Sequence, residues 1–263
     1  MIFDLFKLTG KTAIVTAAGR GIGAAIAEAF AEAGADVVIG ARTESQLLEV
    51  AARVEAHGRK AAVVAGDLGQ REGMERLVQR AVDEFGRVDI VVNNAGGSMP
   101  GPFMGTSEKS FNQAFQWNVT SAFNLTQLAV PHMLKSGGGS VINIASAAGR
   151  FNDRGFAAYG TAKAALIHLT ANLAADLSPR IRVNAIAPGA IATSALDVVL
   201  QNEALEAEMK RRTPLGRLGQ TDDIAAGALY LASPASGYVT GRVLDIDGGL
   251  HRSNLDMGLP DLE

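Results

Sequence analysis

The amino-acid sequence predicts an α/β fold: a doubly wound, mainly parallel sheet of about seven strands with helices on both faces. Short β-branched runs alternate with longer alanine-rich helical patterns along most of the 263 residues. Several of those runs are apolar throughout, as expected when both faces of a sheet are covered. The two long interruptions of the pattern both follow predicted strands, at the edge where open α/β sheets bind ligands.

The elements follow in order. Residues 12–17 (TAIVTA) form the first strand, and 21–33, opened by glycines and rich in alanine, the first helix. Strand 36–40 and helix 44–57 repeat the unit, as do strand 61–65 and helix 72–85. Strand 88–92 leads through GGSMPGPFMGT, residues 96–106, which must be loop, into a long helical pattern over 107–134. Strand 140–145, helix 157–177 and strand 181–187 come next. Residues 188–220 are too long for a simple connection; an amphipathic segment, 194–211, lies inside them. Helix 222–231 and strand 242–246 complete the pattern. With no linker or charge block to divide it, the chain reads as a single domain, 1–263.

Composition removes several function classes. A formal net charge of -3 leaves no basic footprint for nucleic acid. The absence of cysteine excludes disulfides and thiol-based catalysis or metal sites. Histidines 57, 132, 168 and 251 have no metal-ligand spacing, so no metal is expected. The first eleven residues are too short and too charged for a signal peptide, and no run reaches the roughly 18 apolar residues of a membrane span. A cytoplasmic protein is the expectation.

The first strand runs into TAAGRGIG, residues 16–23, and then a helix. Gly19, Gly21 and Gly23 let the backbone turn and approach a pyrophosphate at the helix N-terminus, where unpaired N–H groups point. Strand two ends Ile39–Gly40–Ala41–Arg42, with no carboxylate at its tip to take a ribose hydroxyl. Arg42, with Arg20 in the glycine loop, suits the 2′-phosphate of NADP(H), unless both are merely solvated surface arginines.

Tyr159 and Lys163 stand one helical turn apart. A phenol with an ordinary pKa of about 10 is a poor proton carrier at neutral pH; a nearby ammonium favours the phenolate. Alone, that common spacing is better explained by an unrelated surface Tyr and Lys. Its company decides otherwise: Ser146 closes strand five, Asn93–Asn94–Ala95–Gly96 closes strand four, Asn118 follows, and PGAIAT (188–193) follows strand six.

With these motifs in this order, residues 8–249 resemble a short-chain dehydrogenase/reductase with a Rossmann-type fold. One departure is Thr16–Ala17, where the family usually has Thr-Gly; the extra methyl would alter or crowd the loop. The resemblance implies that Tyr159 exchanges a proton with the substrate oxygen and that Ser146 holds that oxygen. Lys163 would bind the nicotinamide ribose and lower the tyrosine pKa, and Asn118 would anchor a water relay. For the cofactor it implies Gly19, Arg20, Gly21, Ile22 and Gly23 at the pyrophosphate and Arg42 at the 2′-phosphate. Asp67 and Leu68 would face adenine, although Asp67 also reads as a turn aspartate. Asn94 and Ala95 would line the adenosine side and Ile191 and Thr193 the nicotinamide amide, with Gly96, Pro188 and Gly189 also against the cofactor.

The segments 98–103, 147–156 and 190–212 are expected to choose the substrate. Phe103, Phe151, Phe156, Leu196, Val199 and Leu200 would wall an apolar pocket, or equally serve as core or oligomer contacts. The pattern is similar to the branches holding 7α-hydroxysteroid dehydrogenases and 3-oxoacyl-(acyl-carrier-protein) reductases. It implies a hydroxysteroid or other bulky apolar ketone, a 3-oxoacyl thioester as the alternative, and a homotetramer or homodimer. A dinucleotide-binding sensor without turnover is the non-enzymatic reading, which Ser146, Tyr159, Lys163 and Asn118 together argue against. Lys210, Arg211 and Arg212 read as complementing a helix dipole rather than as a docking site for an anionic partner. Residues 250–263 would reach a neighbouring subunit or fray.

Overall fold

A computed structural model describes residues 1–194, 196, 201–255, 258, 259 and 261. Seven parallel strands form one sheet: β1 Thr12–Thr16, β2 Asp36–Ala41, β3 Ala61–Ala65, β4 Ile90–Asn93, β5 Gly139–Ile144, β6 Ile181–Pro188 and β7 Val243–Ile246. Their order is β3-β2-β1-β4-β5-β6-β7. The chain therefore reverses direction across the sheet between β1 and β4, and at such a switch point a crevice opens beyond the strand ends.

The helices are α1 Gly21–Glu32, α2 Glu44–Ala56, α3 Arg71–Phe85, α4 Glu108–Phe115, α5 Ser121–Lys135, α6 Ala157–Leu177, α7 Glu203–Arg212 and α8 Thr221–Ala232. Successive strand residues point to opposite faces, and the core divides accordingly. Ala13 and Val15 pack with Phe30, Leu47 and Ile224 of α1, α2 and α8. Ile14 faces the other way, onto Leu77, Leu125 and Met133 of α3 and α5. Both faces are dry, which explains the unbroken apolar runs in the sequence.

Predicted and observed bounds agree within two residues for every strand. The long helical pattern at 107–134 is the exception. It is two helices, α4 and α5, joined by a π turn over Gln116–Thr120. One residue per turn is gained there without interrupting the helical hydropathy, so periodicity cannot show it. Only the second part of segment 194–211 is seen as helix, α7; positions 195 and 197–200, including Val199 and Leu200, lie outside the described residues.

Buried polar groups fix the sheet near its ligand-binding edge. Asn93 of β4 donates to Asn143 of β5 at 2.8 Å and to Thr126 of α5 at 3.1 Å. Asn143 in turn donates to Thr170 of α6 at 2.9 Å. Leaving any of these buried amides unpaired would be costly, so the chain of bonds locks β4, β5 and α6 in one register.

Candidate active site

The switch point opens into a cleft of about 550 Å³. Gly19, Arg20, Gly21 and Ile22 line one end, with Arg42, Leu68, Asn94 and Gly96. Ser146, Tyr159, Lys163, Pro188, Gly189, Ile191 and Thr193 line the other. Gly23, Asp67, Ala95 and Asn118 are not in its wall. Each has a local structural task.

Gly23 sits inside the first turn of α1. A methyl there would lie 2.6 Å from the carbonyl oxygen of Ala17 and 2.5 Å from Asn94 Nδ2, so only glycine fits. Arg20 precedes α1 without capping it through its side chain, leaving the helix's first N–H groups for a ligand. Ala17 has φ of 50°, the left-handed conformation, and is the only non-glycine with positive φ among the described residues. The departure from Thr-Gly is therefore a strained one.

The glycine loop is tied to the end of β4. Thr16 Oγ1 accepts the N–H groups of Asn94 and Ala95, both at 2.9 Å. Asn94 Nδ2 donates back to the carbonyls of Thr16 at 3.0 Å and Ala17 at 3.2 Å. Thr16 was not singled out from sequence; a hydroxyl at the buried end of an apolar strand was its signal. Thr43, Gln46 and Trp117 also line the cleft, the first two beside Arg42 in the chain, and carried no recognisable motif.

Asp67 is exposed, and its Oδ1 accepts the N–H of Gly69 at 2.8 Å, the geometry of a turn aspartate. It borders a second groove beside the cleft, shared with Arg42 and Trp117. Leu68 and Ala95 are buried.

At the chemical end the π turn delivers Asn118 into the protein, fully buried. Its amide brackets Gly97, donating to the carbonyl at 3.0 Å and accepting the N–H at 2.9 Å, and donates to Ala114 at 2.8 Å. Gly96 makes this closeness possible. A methyl there would meet Asn118 Oδ1 at 2.7 Å and Lys163 Nζ at 2.8 Å.

Lys163 is buried on α6 and donates to the carbonyl oxygen of Ile144 at 2.7 Å. Burial lowers its pKa from 10.5 to about 7. The ammonium lies 5.7 Å from the centre of the Tyr159 ring. Burial raises the Tyr159 pKa, opposed by a hydrogen bond with Ser146. In this cleft, then, desolvation acts on both groups, and both are driven toward their neutral forms. Ser146 Oγ also accepts the N–H of Ala148 at 3.1 Å, which fixes the hydroxyl at the start of the loop into α6. Phe156 packs a tilted ring against Tyr159, centres 6.0 Å apart.

Phe151 is partly buried, whereas Phe103 is 72% exposed. The basic run is used within α7 itself. Lys210 pairs with Glu206 at 2.7 Å, and Arg211 and Arg212 with Glu208 at 2.6 and 2.5 Å. The Arg211 and Arg212 guanidinium groups hold the Glu208 pKa at about 2. No cluster that could hold a metal occurs among the described residues, and no helix there is long and apolar enough to cross a membrane.

A glycine-loop cleft of this topology, ending in Ser, Tyr and Lys, defines a dinucleotide-binding oxidoreductase. A family model described as enoyl-(acyl carrier protein) reductase matches residues 16–251. An uncharacterised oxidoreductase of Mycobacterium tuberculosis is 57% identical over 263 residues, covering 100% of both chains. The 7α-hydroxysteroid dehydrogenase of Escherichia coli K12 is 42% identical, over 94% of this chain and 96% of the relative. A solved 7α-hydroxysteroid dehydrogenase complexed with NADH and 7-oxoglycochenodeoxycholic acid superposes with a TM-score of 0.93 at 41% identity, over 97% of this chain and 99% of that one. The chain belongs to the short-chain dehydrogenase/reductase family. It is an oxidoreductase acting on CH–OH groups, with a nicotinamide dinucleotide as cofactor and a small molecule as substrate.

Proposed function

We propose that the protein interconverts a bulky apolar ketone, of the hydroxysteroid kind, and its secondary alcohol, using NADP(H) in preference to NAD(H). The bound dinucleotide would supply or accept the hydride. In the reductive direction Tyr159 gives its hydroxyl proton to the carbonyl oxygen, which Ser146 holds. Lys163, within the same helix, orients the nicotinamide ribose. Positioned proton transfer of this kind is worth roughly 10²–10⁴ in rate.

One observation carries the chemistry: Ser146, Tyr159 and Lys163 line a single cleft with the glycine loop. Arg42 at its far end, with Thr43 and Gln46 and no carboxylate among these wall residues, supports the 2′-phosphate. The similar dehydrogenase complexed with NADH makes the comparison a pointed one. Catalytic efficiency with NADPH and NADH decides it, and tenfold or greater preference for NADH overturns the assignment. Keto-bile acids, 3-oxoacyl thioesters and simple diketones rank the substrates. Failure with every ketone removes the reductase reading.

The same reading makes residues 1–263 one catalytic unit, at work in the cytoplasm as a homotetramer or homodimer. Exposed Phe111 of α4, Phe123 of α5, and Ala164 and Ala171 of α6 support association, which light scattering measures.

A further inference from the structure

Three segments border the chemical end of the cleft: residues 96–106 after β4, residues 145–156 before α6, and the described residues between Pro188 and Thr213. The described residues of the C-terminal tail touch the second and third, and Leu259 lies beside Gly155, where the second is bonded to the first. Ser253 Oγ donates to the carboxylate of Asp153. Asn254, itself buried, donates from Nδ2 to Thr213 Oγ1 at 2.9 Å and to the carbonyl of Met209 at 3.4 Å. Leu255 joins an apolar cluster around Met209 and Leu218 that contains Ala190 and Leu196. Those last two residues line the cleft.

Farther along, Leu259 lies against the point where two segments meet. Gly101 donates its N–H to the carbonyl of Gly155 at 2.9 Å. A methyl on Gly155 would lie 2.9 Å from Leu259 Cδ1 and 3.5 Å from the Gly101 nitrogen. Arg154 pairs with Asp261 at 3.0 Å, but both side chains are exposed and the pair adds little. Burial of Asn254 and partial burial of Leu255 hold this part of the tail to its own chain.

Glycine-rich loops lose conformational freedom when a ligand orders them, and a contact that already restrains them lowers that loss. No described tail contact reaches the glycine loop or Arg42. We propose that Asn254, Leu255 and Leu259 are positioning residues for the substrate wall: in cis they brace the second and third segments directly, and the first through its Gly101–Gly155 bond, and so set which ketones bind, without acting on the dinucleotide. The proposal rests on the ketone reductase reading above.

The test compares the full chain with one ending at Arg252, and with Leu255→Ala and the conservative Leu255→Met. Hydrogen exchange at residues 97–106 and 150–156 should accelerate on truncation, with residues 17–23 unchanged. Unchanged exchange at the two loops overturns the brace whether or not any ketone is reduced. With 7-oxoglycochenodeoxycholate and saturating NADPH, truncation or Leu255→Ala should raise KM about tenfold while kcat stays within about threefold. NADPH affinity, read by its fluorescence, should hold, and Leu255→Met should behave as the parent. A loss of NADPH affinity or of kcat as large as the change in KM overturns the proposal in favour of general destabilisation. If the full chain reduces no ketone, the functional reading falls separately and the exchange result still decides the brace.

Discussion

Lys163 Nζ and the carbonyl oxygen of Ile144 lie 2.7 Å apart, a bond that ties the middle of α6 to the last residue of β5. Ile144 is two residues before Ser146, so one contact sets the spacing between the lysine and the hydroxyl. It also satisfies only part of a buried ammonium. Burial lowers its pKa to about 7.

A pH dependence of stability follows. Between about 7 and 10.5 the unfolded chain keeps a proton on this lysine that the folded, ligand-free chain has released. Where the unfolded state binds more protons, stability rises with pH. Urea unfolding without dinucleotide at pH 7 and pH 9 should show the parent gaining stability relative to Lys163→Met. Equal slopes would mean the lysine is not desolvated.

Tyr159→Phe keeps the ring and its contact with Phe156 and removes only the hydroxyl, the proposed acid. Turnover should fall by roughly 10²–10⁴, with NADPH still binding. Near-normal turnover on any ketone would exclude this proton donor.

Arg42→Ala should lower catalytic efficiency with NADPH by about 10- to 100-fold, the usual worth of a hydrogen bond to a charged group. Efficiency with NADH should change little. Equal losses with both cofactors would place the arginine's effect elsewhere than the 2′-phosphate.

Ala17→Gly relieves the left-handed strain. After allowing for the greater freedom of glycine in the unfolded chain, the gain should be about 0.5–1 kcal/mol. Denaturant midpoints check this, and a destabilised variant would contradict the strain.

Trp117 is the only tryptophan in the chain and lines the cleft. Binding of NADPH should quench its emission and transfer energy to the dihydronicotinamide. An emission spectrum unchanged on saturation would mean the dinucleotide lies elsewhere.

What the sequence made legible depended on whether a residue acts through its type or through its placement. The run TAIVT became β1 because its unbroken apolar character and its burial on both faces have the same cause. Tyr159, Lys163 and Ser146, which share one cleft, were readable because their order and spacing match a recognised motif. Asn118 was found by motif, but the π turn that points it inward was not, since a single added residue leaves the apolar stripe intact. Thr16 and Gln46 escaped for a different reason. Their value comes from what lies opposite, Asn94 in the first case and the backbone of the glycine loop in the second. The contacts of Asn254 and Leu255 were not legible, because the polar, glycine-bearing tail carries no period at all.

The reversal between β1 and β4 has a consequence for descent. The residues proposed to grip the nucleotide follow β1, β2 and β4, while the segments proposed to meet the other reactant follow β4, β5 and β6. Loops of the second group can lengthen, shorten or change polarity with the first left alone. A lineage built this way can adopt new molecules to oxidise or reduce by editing one side of the sheet, keeping its redox currency throughout.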